Sequence, residues 1–329
     1  MSSFRALLVE KTDAGFTRRL AERDVDDLPE GDVLIDVRYS SLNYKDALSA
    51  TGNPGVSRNF PHTPGIDAAG VVLESSVDEF ANDDEVLVTG YDLGMNTCGG
   101  FGQRVRVPAG WIVPLPSGLS LRDSMVLGTA GLTAALCIHK LEEAGMNTDS
   151  GEILVTGATG GVGSVAVKLL AQLGYEVVAV TGKAVQHEFL ERLGASRILS
   201  REEARQGADR PLLKETWGGG IDTVGGEILF NTVKSLRYGC SLAACGLVDS
   251  TDIPANVLPF ILRNVNLLGV DSVELKLARK IEIWEKLAGP WQLQNLSELA
   301  EPLSLDDLDP AIDRILAGQM VGRGLVDLS

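Results

Sequence analysis

The stretch GEILVTGATGGVG, Gly151 to Gly163, decides the fold. Its first half, rich in Ile, Leu and Val, has the composition of a buried strand, and Val162 to Leu173 carries the apolar spacing of an amphipathic helix. Between the two, Gly160, Gly161 and Gly163 lack Cβ atoms, so the backbone can turn tightly, approach a pyrophosphate and pack the helix against the strand. The N–H groups and positive dipole end of the helix's first turn then make an anion site. The spacing is G-x-x-G-x-x-G and departs from G-x-G-x-x-G at Ala158. The dinucleotide reading therefore rests on strand, turn and helix in succession, not on spacing alone.

Downstream the same texture repeats. Strands are expected at Ile153 to Thr156, Glu176 to Thr181, Arg197 to Leu199, Ile221 to Val224, Cys240 to Cys245 and Val265 to Val270. Helices are expected between them, at Ala184 to Leu193, Ile228 to Leu236 and near Asn256 to Arg263. Six strands with intervening helices make a doubly wound parallel sheet, an α/β fold. About 20 residues past the glycines, sites for the unphosphorylated coenzyme place an acid on the adenosine 2′-hydroxyl. Here that place reads Thr181-Gly182-Lys183. A lysine and a hydroxyl attract a 2′-phosphate that a carboxylate would repel, so NADPH is expected over NADH. Arg201 is the expected second cation, with Arg197 its competitor.

Upstream, from Phe4 to Pro116, short β-branched segments separated by Pro, Gly, Asp and Asn read as an irregular β-rich domain. A chain of 329 residues is long for one core. The expected division is 1–118 with 297–329 as the β-rich domain, and 119–296 as the nucleotide-binding domain. The tail, ending in GRGLVDL, is too small to stand alone and is expected to return to the first domain.

Composition limits the partners. With 29 Lys plus Arg against 45 Asp plus Glu, the net charge of −16 repels nucleic acid and anionic membranes. No apolar run is read as reaching the roughly 18–20 residues of a bilayer span, and Met1 to Ala14 lacks the order of a signal peptide, so a cytoplasmic protein is expected. Cys98, Cys137, Cys240 and Cys245 form no C-x-x-C pair, and His62, His139 and His187 stand at no ligand spacing. Reduced thiols and no metal are expected.

LGTAGLTAALC (Leu127 to Cys137) followed by VTGATGGVG resembles the medium-chain dehydrogenase/reductase superfamily, with a GroES-like domain first. More narrowly, SSLNYKDAL (Ser40 to Leu48), FPHTPGIDAAG (Phe60 to Gly70), ACGLV (Ala244 to Val248) and PFILRNVNLLGVDSV (Pro259 to Val273) resemble the NADPH-dependent acryloyl-CoA reductases, a family also described as quinone oxidoreductases. Zinc members of the superfamily carry Cys and Gly-His-Glu where this chain has Asn43 and Gly65-Ile66-Asp67. The resemblance thus implies a zinc-independent reductase. It also implies cofactor contacts at Tyr44, Thr159, Gly160, Gly161, Val162, Thr181, Gly182, Lys183, Arg201, Leu247, Ile261 and Ser272, and Thr129 is a candidate to line the nicotinamide pocket. Gly318 stands where the family commonly has Asn, which departs from one cofactor contact.

The implied reaction is reduction of the activated double bond of a short enoyl-CoA, acryloyl-CoA to propanoyl-CoA. Hydride adds at the β-carbon, charge develops on the thioester oxygen, and a proton is added at the α-carbon. Tyr44 is the candidate acid, Asn43 a candidate to orient the carbonyl, and Asp67 a candidate to position Tyr44 or Lys45. Lys45, Arg58 and Arg263 are candidates for the coenzyme A phosphates. A quinone or enone reductase, and a non-catalytic NADPH-binding sensor, are the other readings. The apolar strand VNLLGV is expected to pair across a two-fold axis in a homodimer.

Overall fold

The β-branched segments of the first hundred residues form antiparallel strands in the computed structural model, which describes residues 3–329. β1 (Ser3–Thr12) and β2 (Gly15–Asp24) form a hairpin. β3 (Val33–Leu42) pairs antiparallel with both β4 (Asp67–Ser75) and β6 (Arg104–Val107). β4 in turn pairs with β5 (Glu85–Thr89), and β5 with β7 (Ile112–Pro114). The faces turned inward bury Val33, Ile35, Val37, Val86 and Val88 in one core. α1 (Tyr44–Ala50) follows β3 directly. α2 (Leu121–Glu143) is long and apolar enough to cross a membrane, which the reading of apolar runs missed. It is interrupted by non-helical Gly128, and 89% of its most apolar window is buried inside the protein.

The glycine stretch opens the second sheet. β8 (Ile153–Val155), α3 (Gly161–Gln172), β9 (Val177–Val180), α4 (His187–Arg192), β10 (Arg197–Leu199), α5 (Arg201–Ala204), β11 (Gly219–Asp222), α6 (Gly226–Ser235), β12 (Ser241–Ala244), α7 (Leu258–Arg263) and β13 (Asn266–Gly269) follow in order. All six strands are parallel, in the order β10-β9-β8-β11-β12-β13. The winding reverses between neighbours β8 and β11, and ligands of such sheets bind beyond the strand ends at that reversal. Every expected strand is present. The short α5 was not expected from the sequence, although its capping box is there to read: Ser200 Oγ accepts the Glu203 N–H at 3.1 Å, and the Glu203 carboxylate accepts the Ser200 N–H at 2.7 Å.

The chain then returns through α8 (Leu277–Ala288), β14 (Ala300–Ser304), α9 (Leu308–Leu316) and β15 (Arg323–Asp327). β15 pairs antiparallel with β3 and parallel with β14, so the tail completes the first large sheet. Two compact units result. One runs to Ala130 and resumes at Ser272; the other is Gly131–Asp271. The boundaries expected at 118/119 and 296/297 shift accordingly, because α8 folds with the β-rich unit. Its Lys280 is fully buried, donates to the carbonyls of Thr89 (2.5 Å) and Val273 (3.0 Å), and lies 3.4 Å from the Tyr91 ring centre. Tyr91 stacks on Trp111 and donates its hydroxyl to Leu275 O at 3.0 Å. These are long-range bonds that helical periodicity cannot report.

Candidate functional site

β8 delivers the chain to Gly157, which adopts a φ of +57°. A Cβ at this position would lie 2.3 Å from Thr223 Oγ1, and of the glycines in this turn Gly157 has the positive φ, so the tight bend is made here. Gly163 serves close packing: its Cβ would lie 2.3 Å from Gly157 O. Gly160 is the N-cap of α3 and supplies no side-chain cap. The first-turn N–H groups of α3 have no acceptor within the helix, which makes them available to an anion, and Thr159 is buried just before them. A turn of this kind, with a helix N-terminus that no side chain caps, fits a coenzyme pyrophosphate.

The loop after β9 brings the other expected groups to the same turn. Thr159 Oγ1 lies 3.4 Å from Thr181 Oγ1, and Thr181 Oγ1 accepts the Lys183 N–H at 3.0 Å. Arg201 lies across Gly182, where a Cβ would come within 2.9 Å of its Nε. Burial, and then the nearby Arg201 guanidinium, lowers the pKa of the Lys183 ammonium. Two like charges held together are unfavourable for the protein alone and favourable for a bound dianion. Arg197 is not part of this pair. It is bonded to Glu152 at 2.7 Å and lies over Trp217.

In the β-rich unit a second group of residues converges. Asp67, fully buried at the start of β4, accepts four donors: Ser41 Oγ at 2.5 Å, Asn43 Nδ2 at 2.8 Å, Thr129 N at 2.9 Å and Thr129 Oγ1 at 2.6 Å. Asp46 is equally buried. Its oxygens accept the N–H groups of Asn43 and Ile66, both at 2.8 Å. Burial first, and Asp67 second, push its pKa up to about 7. Arg323 at the start of β15 closes the cluster. It donates Nε to Val126 O at 3.0 Å and Nη1 to Asn43 Oδ1 at 3.1 Å, while Nη2 stands 4.0 Å from Asp67 Oδ2 with no hydrogen bond of its own. Gly128 makes room, since a Cβ there would meet Asp67 Oδ2 at 2.5 Å.

Several expectations change as a result. Asp67 bonds neither Tyr44 nor Lys45, because its oxygens are occupied by Ser41, Asn43 and Thr129. Asn43 has both ends of its amide engaged, so it holds the start of α1 and does not offer a free donor to a carbonyl. Arg263 is bonded to the carbonyls of Lys234 and Leu213 and paired with Glu215, and is therefore committed to the fold. Arg323 was missed by the sequence reading. Its only signal there is an arginine within an apolar terminal strand.

The remaining residues lie apart from these groups. Tyr44, half-buried at the first turn of α1, makes no hydroxyl hydrogen bond to a described residue. Lys45 is half-buried beside it, and Arg58 is exposed with Nε on Pro54 O. Leu247 beyond β12 and Ile261 on α7 are large apolar side chains left 57% and 69% exposed. Ser272 is buried where the chain re-enters the β-rich unit. Gly318 follows α9 at a φ of +67° in open space, a position that Asn also tolerates.

Residues 29–117 match the family model described as alcohol dehydrogenase GroES-like domain, and 161–287 match the one described as zinc-binding dehydrogenase. The chain is 46% identical to the probable acrylyl-CoA reductase AcuI of Escherichia coli K12, over 99% of this chain and all of that protein. The chain belongs to the medium-chain dehydrogenase/reductase superfamily. The reductase is also 43% identical to the acrylyl-CoA reductase AcuI of Ruegeria pomeroyi, over 99% of each chain. It matches the Salmonella enterica yhdH oxidoreductase solved with NADP at a TM-score of 0.96 and 46% identity, covering 99% of this chain and 100% of that one. Bacillus subtilis yhfP, solved with NAD bound, matches at 0.97 and 41%, covering 100% of both.

The zinc of the matched family description does not fit this reductase. Where zinc members of the superfamily hold ligands, Asn43 turns N–H hydrogens toward Asp67, and the Arg323 guanidinium places a fixed positive charge 4.0 Å from the same carboxylate. Among the described residues no group of three or more His, Cys, Asp or Glu could hold a metal ion.

The Asp46 carboxyl makes stability depend on pH. From about pH 4 the unfolded chain has released this proton while the folded reductase keeps it up to about pH 7, so the native state binds more protons and stability falls as pH rises through that window. Urea titrations from pH 4.5 to 8 should show this contribution as a decline approaching about 1.4 kcal/mol per pH unit that levels off above pH 7. In Asp46→Asn the decline should be shallower, whatever its absolute stability. Equal slopes in the two proteins would contradict the assignment.

Proposed function

We propose that this protein is an NADPH-dependent reductase of short α,β-unsaturated acyl-CoA thioesters, acting on acryloyl-CoA to give propanoyl-CoA. The observation that carries the coenzyme part is the Lys183 and Arg201 pair beside the uncapped N-terminus of α3. The substrate part is supported by full-length identity of 43–46% to two proteins named as acrylyl-CoA reductases.

NADPH, when bound, supplies the hydride for the β-carbon. The chain's own residues have two tasks, to hold the coenzyme and to deliver a proton at the α-carbon. We assign proton delivery to the Tyr44 hydroxyl, a half-buried phenol with no protein partner among the described residues. Asn43 and Asp67 act through it, because Asn43 caps the helix that Tyr44 begins and Asp67 holds the Asn43 amide. Lys45 and Arg58, near α1 and its following loop, are assigned to the coenzyme A phosphates. Leu247 and Ile261 are assigned apolar contact with the coenzyme, and Ser272 a polar one. Thr159 to Val162 receive its pyrophosphate.

Replacing both Lys183 and Arg201 with Ala should weaken NADPH binding about a hundredfold, in line with the loss of two charge-assisted hydrogen bonds, and leave NADH binding within about twofold. Fluorescence titration of the two coenzymes measures this, and a parallel loss for NADH would overturn the 2′-phosphate assignment. Tyr44→Phe should lower kcat for acryloyl-CoA about a hundredfold or more with little change in the KM for NADPH. Unchanged turnover would remove Tyr44 as the acid. The same assay run with crotonyl-CoA and a small quinone identifies the substrate class: a quinone turned over faster than either thioester favours the quinone reductase reading, and turnover of none favours a sensor.

We further propose a cytoplasmic homodimer joined along β13, which pairs with β12 on one side and is an edge of the sheet on the other. Light scattering should give twice the mass of the chain. A Pro at Leu268 should give the monomer mass, and a wild-type monomer would refute the pairing.

A further inference from the structure

The reversal of winding between β8 and β11 leaves two loops side by side at the strand ends, Thr156 to Gly160 and Thr223 to Gly226. Both contain glycines at positive φ: Gly157 at +57°, Gly225 at +76° and Gly226 at +63°. Such segments have little intrinsic stiffness. One side chain joins them. Asp222, the last residue of β11, is fully buried. It accepts the Thr156 hydroxyl on Oδ1 at 2.7 Å, and the N–H groups of Gly225 and Val224 on Oδ2 at 2.7 and 3.2 Å.

The tie continues through Thr156. Its hydroxyl accepts the Thr223 N–H at 3.0 Å, and its carbonyl accepts the Thr223 hydroxyl at 2.9 Å. That same Thr223 hydroxyl occupies the space a Gly157 Cβ would need. A third loop is attached to the same strand end, with Cys245 N–H on Asp222 O at 2.9 Å and Asp249 N–H on Val224 O at 2.8 Å. Leu247 lies between those two bonds.

We propose that Asp222 is a positioning residue for the coenzyme: its carboxylate sets the spacing between the glycine turn and the Thr223 to Gly226 loop, and with it the seat of the pyrophosphate. The inference rests on the NADPH reading above. A carboxylate suits the site because each of its oxygens accepts from a different loop. One oxygen faces the Thr156 hydroxyl and the other faces two backbone N–H groups, and an amide has only one accepting oxygen. Keeping this charge buried is costly, and burial raises its pKa to about 6. An apolar strand end would carry no such cost but could not hold the loops. Asp222 touches no reacting atom and acts through the loops alone.

The test compares Asp222→Asn, Thr156→Val and Thr156→Ser. The Kd for NADPH is measured by fluorescence titration of the apoprotein, with its thermal midpoint as the control for folding and kcat and KM measured alongside. Asp222→Asn and Thr156→Val should raise the Kd and KM for NADPH about tenfold or more, the loss expected when a hydrogen bond to a charged group is broken. kcat at saturating NADPH should fall far less. Thr156→Ser, which keeps the hydroxyl, should stay within about twofold of wild type. The inference is overturned by a folded Asp222→Asn with wild-type Kd, by Thr156→Ser behaving as Thr156→Val, or by a fall in kcat as large as the rise in Kd. Should Asp222→Asn not fold, the two Thr156 variants decide. A wild-type protein that binds no NADPH overturns the coenzyme reading itself, a result distinct from any difference among the variants.

Discussion

A carboxyl group in a protein interior is costly unless hydrogen-bond partners surround it, and the β-rich unit buries two, Asp46 and Asp67, as neighbours. The donors come from distant parts of the chain: Ser41 and Asn43 at the end of β3, Ile66 before β4, Thr129 inside α2 and Arg323 at the start of β15. Satisfying these oxygens therefore draws the N-terminus of α1, the break in α2 and the terminal strand to one point. The left-handed Gly128 is a consequence, since a side chain there would displace Asp67 or Arg323. Tyr44 inherits its place from the same constraint, as the residue after the helix cap that the cluster fixes.

The nucleotide-binding half was legible in the sequence because its signals are local. A strand, a glycine turn and an amphipathic helix lie within about 20 consecutive residues, and each six-strand assignment depends only on neighbouring residues. The β-rich half was legible as a class, not in its details. Lys280 belongs with Thr89 and Tyr91, and Arg323 with Asn43, across separations of 191 and 280 residues in the bonds concerned. No periodicity encodes such pairs. Asn43 and Asp67 were picked out from the resemblance as residues standing in place of zinc ligands; their bonds to each other, to Ser41, Thr129 and Arg323 lie beyond what that resemblance carries. Arg263 failed for a similar reason: a surface-looking arginine on a short helix proves to be bonded to two carbonyls.

Coenzyme choice is a matter of side chains, not of fold. Two solved relatives superpose on this chain almost equally well, with TM-scores of 0.96 and 0.97, yet one was solved with NADP and the other with NAD. The parallel sheet and the glycine turn thus serve either coenzyme. The discrimination proposed above lies with the loop after β9, where Lys183 and Arg201 meet across Gly182. The chain is acidic as a whole, so this pair is a local reversal of its field, and it is held in place by backbone: the Lys183 N–H on Thr181 and the Ser200 capping box that starts the helix carrying Arg201.

The orientation of the Asn43 amide narrows the choice of proton donor and carbonyl partner. A guanidinium can only donate, so Arg323 fixes which end of the amide is oxygen, and the nitrogen is left to face Asp67. The nitrogen's hydrogens are further claimed by Ser41 O and Asp46 Oδ2, each at 3.2 Å. An amide locked at both ends cannot turn to a thioester oxygen without leaving Arg323 or Asp67 unpaired inside the protein, a loss of the same order as the stabilisation it would give. In a cluster so fully engaged, a donor has to come from outside it, which is in keeping with the proton delivery proposed for the Tyr44 hydroxyl on α1.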